Sequence, residues 1–442
     1  MAFKLFKKKD ARRACVVGLD GVPCTLLKDM MERGVMPNLK ELVGRGTLTD
    51  MTVSLPEISS VSWSSFMTGK NPGEHGIYGF TDLKENSYDY RFPQFNDLKT
   101  ETIWDRMGRQ GLRSIVINQP STYPAREIPG VLISGFVAID IPRALYPRKY
   151  LASLARARYR VDIDTEKSRE DADFLFKDLD ALLECRKVIM DELWDKEEWN
   201  FMQVIVTGTD RLYHFQWDAY EDPSHPNHER FLQYHRNVDD FVGYVYEKFS
   251  KEGSPENFFM LSDHGFCGIK NEVYVNSMLQ KYGFLAFDDG SDTLSDITSD
   301  STAFALDPAR IYIHRKERYP KGCVEDKDVE GIKSELKAMF GSIEHDGPRD
   351  EPIIRHIFDG ADVYSGGQTP GAPDILLVPH NGYDMKGRVG ASTIVGERRL
   401  QGMHTWDNAF FLSLRNDLLS SDEELTIFDV PWKVLKSIDV EP

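Results

Sequence analysis

Three short apolar runs in this chain each empty onto an acidic residue, and that repeated arrangement restricts the fold more than any other feature. Cys15 to Leu19 (CVVGL) runs into Asp20, Phe201 to Val206 (FMQVIV) leads shortly to Asp210, and Phe258 to Leu261 opens onto Asp263 and His264. Apolar runs of this length without polar alternation read as strands buried on both faces, as in parallel sheets covered by helices. Such strands deliver the residues at their carboxyl ends to the crevice where ligands bind. The expected fold class is α/β: a doubly wound, mainly parallel sheet flanked by helices, with an inserted cap.

The remaining elements fit that frame. An amphipathic helix from about Pro23 carries Leu26, Leu27, Met30 and Met31 on one side and is closed by Gly34. A strand over 47–54, a helix over 102–111 and a strand over 113–118 follow. At 442 residues, 41% of them hydrophobic, the chain exceeds the usual size of a single core. The expected division is a basic tail over 1–13, a core formed by 14–270 and 400–442, and an inserted cap over 271–399 that returns to the core. Residues 140–195 are charged and helical and are candidates to cover the active-site mouth; 288–300, rich in Asp, Ser and Thr, reads as a loop.

The acidic strand ends come with imidazoles. His214 follows Asp210 at helical i,i+4 spacing, His264 is adjacent to Asp263, and His404 stands in a late loop before the apolar run Ala409 to Leu414. Mixed Asp and His ligands suit zinc or manganese, and two such ions about 3.5 to 4 Å apart can clamp the attacking and leaving oxygens of a phosphoryl group. A nucleophile is available at Ser59, at the start of a helix-like run that stops at Gly69. There, free N–H groups and the helix dipole favour both a phosphate and a serine alkoxide.

The order Asp20, a hydroxyl residue ahead of T-G-x-x-P-x-x-H-G (Thr68 to Gly76), D-x-x-x-H (Asp210, His214), D-H-G (Asp263 to Gly265) and G-x-H (Gly402 to His404) resembles the alkaline phosphatase superfamily. Within it, the chain is most similar to the type I phosphodiesterase and nucleotide pyrophosphatase branch. The resemblance extends over EVYVNSMLQKYGFL (Glu272 to Leu285), RIYIHRKERYPKGCV (Arg310 to Val324), APDILLV (Ala372 to Val378) and IFDVPWKVLKSI (Ile427 to Ile438). Singly, each motif residue has an ordinary structural use: Asp20 as a helix cap, His214 as a surface partner of Asp210, Asp263 and His264 as a turn. Five motifs in this order specify a site.

The resemblance implies two metal sites: Asp210, His214 and His404 hold one ion, and Asp20, Asp263 and His264 the other, with Ser59 as a bridging ligand and the nucleophile. Ser60 is the alternative should the register slip by one. His75 is expected to serve structure by binding loop backbone, and Cys267 to be a bystander. Two departures bear on substrate. Nucleotide pyrophosphatases carry an Asn shortly after H-G-I, where this chain has Tyr78, Gly79 and Phe80. Sulfatases need Pro and Arg after the nucleophile, whereas Ser60, Val61, Ser62 and Trp63 follow Ser59.

Charge excludes some partners. A net charge of -17 repels polyanions, so no nucleic-acid partner is expected and a small phosphoester is the better substrate. The tail MAFKLFKKKDARR is read as solvated and not as a membrane contact. No apolar run is long enough to span a bilayer, and the first strand starts too early for a signal region, so the expected location is the cytoplasm. Five cysteines at no metal-finger spacing read as free thiols. The expected activity is metal-dependent cleavage of a small phosphodiester or nucleotide pyrophosphate through a phosphoserine. The alternatives are a phosphomonoesterase, a phosphonate hydrolase or a phosphomutase of the same superfamily, or a metal-stabilised binding protein without turnover.

Overall fold

Ala14–Leu19 is buried at every position because neighbours flank it on both edges and helices cover both faces. It pairs in parallel with Phe201–Val206 on one edge and Phe258–Leu261 on the other. The computed structural model describes residues 12–288, 293–343, 353–419 and 424–441. Its main sheet has eight strands, in the order Thr47–Met51, Ala409–Ser413, Phe258–Leu261, Ala14–Leu19, Phe201–Val206, Ser114–Gln119, Gly130–Ser134 and Leu145–Tyr146. The five central strands are parallel. Ala409–Ser413 and Leu145–Tyr146 run antiparallel to their neighbours, so the mainly parallel, doubly wound sheet expected from the apolar runs is the one observed.

The period-2 alternation of a strand sorts its side chains between two cores. Cys15, Val17 and Leu19 join Met202, Val204, Phe258 and Met260 on one face. The helices Cys24–Glu32, Ala172–Lys196 and His228–Phe249 pack there. Val16, Ile205, Phe259 and Leu261 point to the other face, under Trp63, Phe66 and Met67 of the helix Ser59–Thr68. That helix ends at Gly69 in the left-handed conformation, φ 63°, where an added Cβ would meet the Trp432 ring at 2.4 Å.

Residues 140–195 supply most of the helix Ala172–Lys196 to the flanking layer, and Asp162 from this stretch pairs with Arg211 beside the site. Within 271–399, two small sheets share a separate apolar core containing Val273, Met278, Phe304, Tyr312 and Leu377. This stretch leaves the main sheet through Gly265–Gly268 and comes back through Gly402–Thr405, which pairs antiparallel with it. His404 therefore sits in a short strand opposite Phe266 and not in the loop expected from sequence, because its pairing partner is remote in the chain.

Most of the basic tail and part of the 288–300 loop lie outside the described residues. Arg13, read as the end of the tail, is buried, ion-paired with Glu252 and stacked 4.4 Å from the Trp199 ring. Among the described residues no helix is long and apolar enough to cross a membrane. All five cysteines are free thiols.

Candidate active site

The carboxyl ends of the three central strands converge, and the seven residues singled out from sequence meet there. Asp20 follows Ala14–Leu19 directly, Asp263 and His264 follow Phe258–Leu261, and Asp210 and His214 lie on the helix Gly208–Glu221 that follows Phe201–Val206. Gly21 allows the close approach: its φ is 71°, its N–H donates to Asp263 Oδ1 at 3.0 Å, and a Cβ there would press on His264, Phe266 and Asp210 at 3.2 to 3.3 Å.

Ser59 is the first residue of its helix. Its Oγ lies 3.2 Å from Asp20 Oδ1 and 3.2 Å from His264 Nε2. Ser60, one residue on, has a buried Oγ without a hydrogen-bond partner and touches neither group. The other Asp20 oxygen accepts from Trp63 Nε1 at 2.9 Å. On the far side, Asp210 Oδ1 is 3.1 Å from His404 Nε2 and 3.4 Å from His214 Nε2. The ring of His264 stacks on His404 at 3.7 Å and joins the two halves.

Four observations make these residues candidates to hold cations. The Nδ1 atoms of His214, His264 and His404 lie 2.9, 3.0 and 2.9 Å from the carbonyls of Gly402, Gly265 and Glu57, so each ring donates from Nδ1 and turns an Nε2 lone pair inward. The Nε2 atoms of His214 and His404 then face each other at 3.1 Å, two acceptors in need of a shared cation. Asp263 Oδ2 is fully buried with no hydrogen-bond partner. Donor atoms of Asp20, Asp263 and His264 lie within 4.8 Å of one another, as do those of Asp210, His264 and His404. His264 is common to both sets, and His214 completes the second through its contacts with Asp210 and His404.

Electrostatics agrees. Burial pushes the Asp263 carboxyl up to about 8 and the His264 imidazole down to about 4, so burial favours the neutral form of each, and for His264 that form leaves an Nε2 lone pair free. Burial, with the nearby charges of Asp263 and Asp210, also raises Asp20. Asp210 departs from this: against burial, His214, His404 and the Arg211 guanidinium hold it well below the ordinary carboxylate range.

Several neighbours were not singled out from sequence. Arg211 donates to Asp210 Oδ2 at 2.9 Å and to Asp162 at 2.7 Å, and its guanidinium lies 4.5 Å from the Phe136 ring. Trp63 lies one helical turn beyond Ser59, a spacing that could have flagged it. His75 binds loop backbone, as expected: its Nδ1 accepts from Ile77 N–H and its Nε2 meets Ser65 Oγ, each at 3.1 Å. Beside His214 and His404 opens a cavity of about 360 Å³. Glu57, Phe80, Phe92, Asp307, Asp384 and Lys386 line it, several of them from the stretch between the two returning strands. Burial pushes Glu57 up to about 7.

A model of the family described as type I phosphodiesterase / nucleotide pyrophosphatase matches residues 14–407. Phosphonoacetate hydrolase from Sinorhizobium meliloti 1021, solved with phosphonoacetate, has a similar fold: TM-score 0.66 at 15% identity, over 97% of this chain and 96% of that one. The murine ectonucleotide pyrophosphatase / phosphodiesterase 5, solved with AMP, gives a TM-score of 0.57 at 13% identity over 97% and 95%. The alkaline phosphatase PafA gives 0.58 at 12% identity over 97% and 96%. A sequence comparison with curated proteins gave no match.

Proposed function

The chain belongs to the type I phosphodiesterase / nucleotide pyrophosphatase family of phosphoryl-transfer hydrolases, and from that premise we propose that it is a divalent-metal-dependent phosphodiesterase acting on a small phosphodiester or nucleotide pyrophosphate through a phosphoserine at Ser59. The observation that carries this reading is the position of Ser59 Oγ: at a helix start, 3.2 Å from both Asp20 and His264, beside an orphaned carboxylate oxygen and a ring of inward-turned imidazoles.

Asp210, His214 and His404 would hold one divalent ion and Asp20, Asp263 and His264 the other, zinc or manganese, with Ser59 at the second. When bound, such ions lower the pKa of the serine hydroxyl and offset charge on the phosphoryl oxygens and the leaving oxygen. The chain does the positioning. Asp20 and His264 hold Ser59 Oγ on the site side of its helix, and the free N–H groups at that helix start favour an anionic phosphoryl group against it. Ser59 Oγ, its proton lost to water, attacks phosphorus; the bond to the leaving oxygen breaks and that oxygen departs as the first product, taking up a proton from water if its pKa requires it; water then attacks the phosphoserine, releasing the phosphoryl group as the second product and returning the Ser59 hydroxyl. Arg211, held charged by Asp162 and Asp210 against the cost of burial, keeps Asp210 ionised throughout.

Charge favours a diester over a monoester. A monoester dianion carries one more negative charge, and Lys386, the one lysine or arginine among the described residues lining the cavity, is already paired with Asp384 at 2.7 Å. The test is turnover of bis-p-nitrophenyl phosphate and p-nitrophenyl phosphate by protein supplied with zinc or manganese. The diester is expected to be cleaved with the higher kcat/KM; a reversed order would replace the diesterase reading with a monoesterase one.

A further inference from the structure

The run RIYIHRKERYPKGCV has no part in the chemistry above, yet its first residue carries a full charge into the interior. Arg310 is fully buried and opens the strand Arg310–Ile313, in the stretch between the two returning strands. Among the described residues no carboxylate forms an ion pair with it. Its Nε donates to the carbonyl of Asp307 at 2.8 Å, one Nη to the carbonyl of Thr81 at 2.7 Å and the other to the Tyr312 hydroxyl at 3.2 Å. A buried guanidinium is costly unless its donors are used, and here two of them tie together backbone segments that are remote in the chain. Gly79 completes the arrangement. A Cβ there would stand 2.4 Å from the Arg310 Cζ and both Nη atoms, so glycine lets the guanidinium lie against the backbone.

What Arg310 holds is the boundary between two cavities. Thr81 and Asp307 line the cavity of about 360 Å³ beside the site, and they also line a second one of about 760 Å³. Lys84, Tyr88, Tyr90 and Arg388 wall the second, which includes none of the metal-ligand candidates. Tyr90 and Phe92 are two residues apart at the strand Tyr90–Arg91, the spacing that puts side chains on one face; Phe92 lines the first cavity and Tyr90 the second. One aromatic wall therefore continues from one cavity into the other.

We propose that the two cavities form one elongated subsite for the larger ester group of a phosphodiester, and that Arg310 sets its waist by fixing Thr81 and Asp307. The proposal rests on the diesterase reading above and deepens it. Arg310 is a positioning residue, acting through two carbonyls and the Gly79 backbone. Lysine is no substitute, because an ammonium lacks the planar fork that reaches both carbonyls.

The test compares two diesters that share a p-nitrophenyl group: p-nitrophenyl methyl phosphate, whose second group is a single carbon, and p-nitrophenyl 4-biphenylylmethyl phosphate, whose second group is long and rigid. Loss of diester is followed by chromatography, so that cleavage of either ester bond counts. Metal-loaded wild-type protein is expected to favour the extended ester by about 10-fold or more in kcat/KM, the scale of a filled apolar subsite. In Tyr90→Ala, a change at a half-exposed side chain, that preference should fall. Gly79→Ala and Arg310→Lys break one contact from opposite sides. Each should raise KM for the extended ester about 10-fold while kcat for the methyl ester stays within about threefold, and the two together should do no more than either alone. Loss of folded protein lowers both rates alike and leaves KM unchanged, so the split separates positioning from stability. Should Arg310→Lys fail to fold, Gly79→Ala decides alone. A wild-type preference near one, or one that Tyr90→Ala or Gly79→Ala leaves unchanged, overturns the proposal while the diesterase reading stands. Cleavage of p-nitrophenyl phosphate with neither diester consumed overturns both.

Discussion

A serine hydroxyl is a weak nucleophile until its surroundings favour the alkoxide, and among the serines that open its helix only Ser59 has those surroundings. Its Oγ touches Asp20 and His264, whereas the Ser60 Oγ is buried with no partner. Replacing Ser59 with Ala is expected to lower kcat by roughly 10³-fold or more, as several kcal/mol of transition-state stabilisation is lost. Ser60→Ala should change it by less than about threefold, since no interaction is removed. Steady-state rates on the better p-nitrophenyl ester decide it, and the reverse ranking would move the nucleophile to Ser60. The residues legible in the sequence were those carried by a strand end, a helix start or a short motif: Asp20, Ser59, Asp210, His214, Asp263, His264 and His404. Arg211 and Glu57 were not legible. The guanidinium of Arg211 is aimed by Asp162, and Glu57 lines its cavity together with Asp307 and Asp384, both remote in the chain.

The helix Ser59–Thr68 is fixed to the turn that follows it by His75, fully buried between Ser65 and the backbone of Ile77. Burial pushes this imidazole down to about 3, so the folded protein keeps it neutral where the unfolded chain, near the ordinary value of 6.5, takes up a proton. The unfolded state therefore binds more protons below about pH 6.5, and stability from this residue is full above that pH and lost as pH falls toward 3. The loss is about 1.4 kcal/mol per pH unit. Between pH 7.5 and 5.0, urea unfolding of the wild type should lose about 2 kcal/mol more than that of His75→Gln. Equal losses would show that another group sets the pH dependence. Apolar runs and turn residues made most elements readable, including Cys24–Glu32 with its buried Leu26, Leu27, Met30 and Met31. The strand at His404 was hidden because four residues, GMHT, carry no periodicity and become a strand only by pairing with Gly265–Gly268.

At the scale of the whole molecule, three buried carboxylates sit at one edge of the sheet within a chain already at a net charge of -17. Divalent ions should therefore bind the folded state and stabilise it, by about 4 kcal/mol for a site at a thousandfold excess over its Kd. Elemental analysis of active protein is expected to find about two equivalents of zinc or manganese per chain. Chelation should abolish turnover and lower Tm by several degrees, with both restored on adding metal back. Full activity in chelated, metal-free protein would remove the two-ion assignment. Gly268 and Gly402 stand opposite each other where the chain leaves the main sheet and rejoins it. Whatever lies between them begins and ends at one spot, so its length and sequence can drift without shifting the register of any strand that bears a metal-ligand candidate. The reaction can be inherited unchanged while the choice of substrate is renegotiated, and a descendant of this protein could acquire a new ester by altering that one excursion.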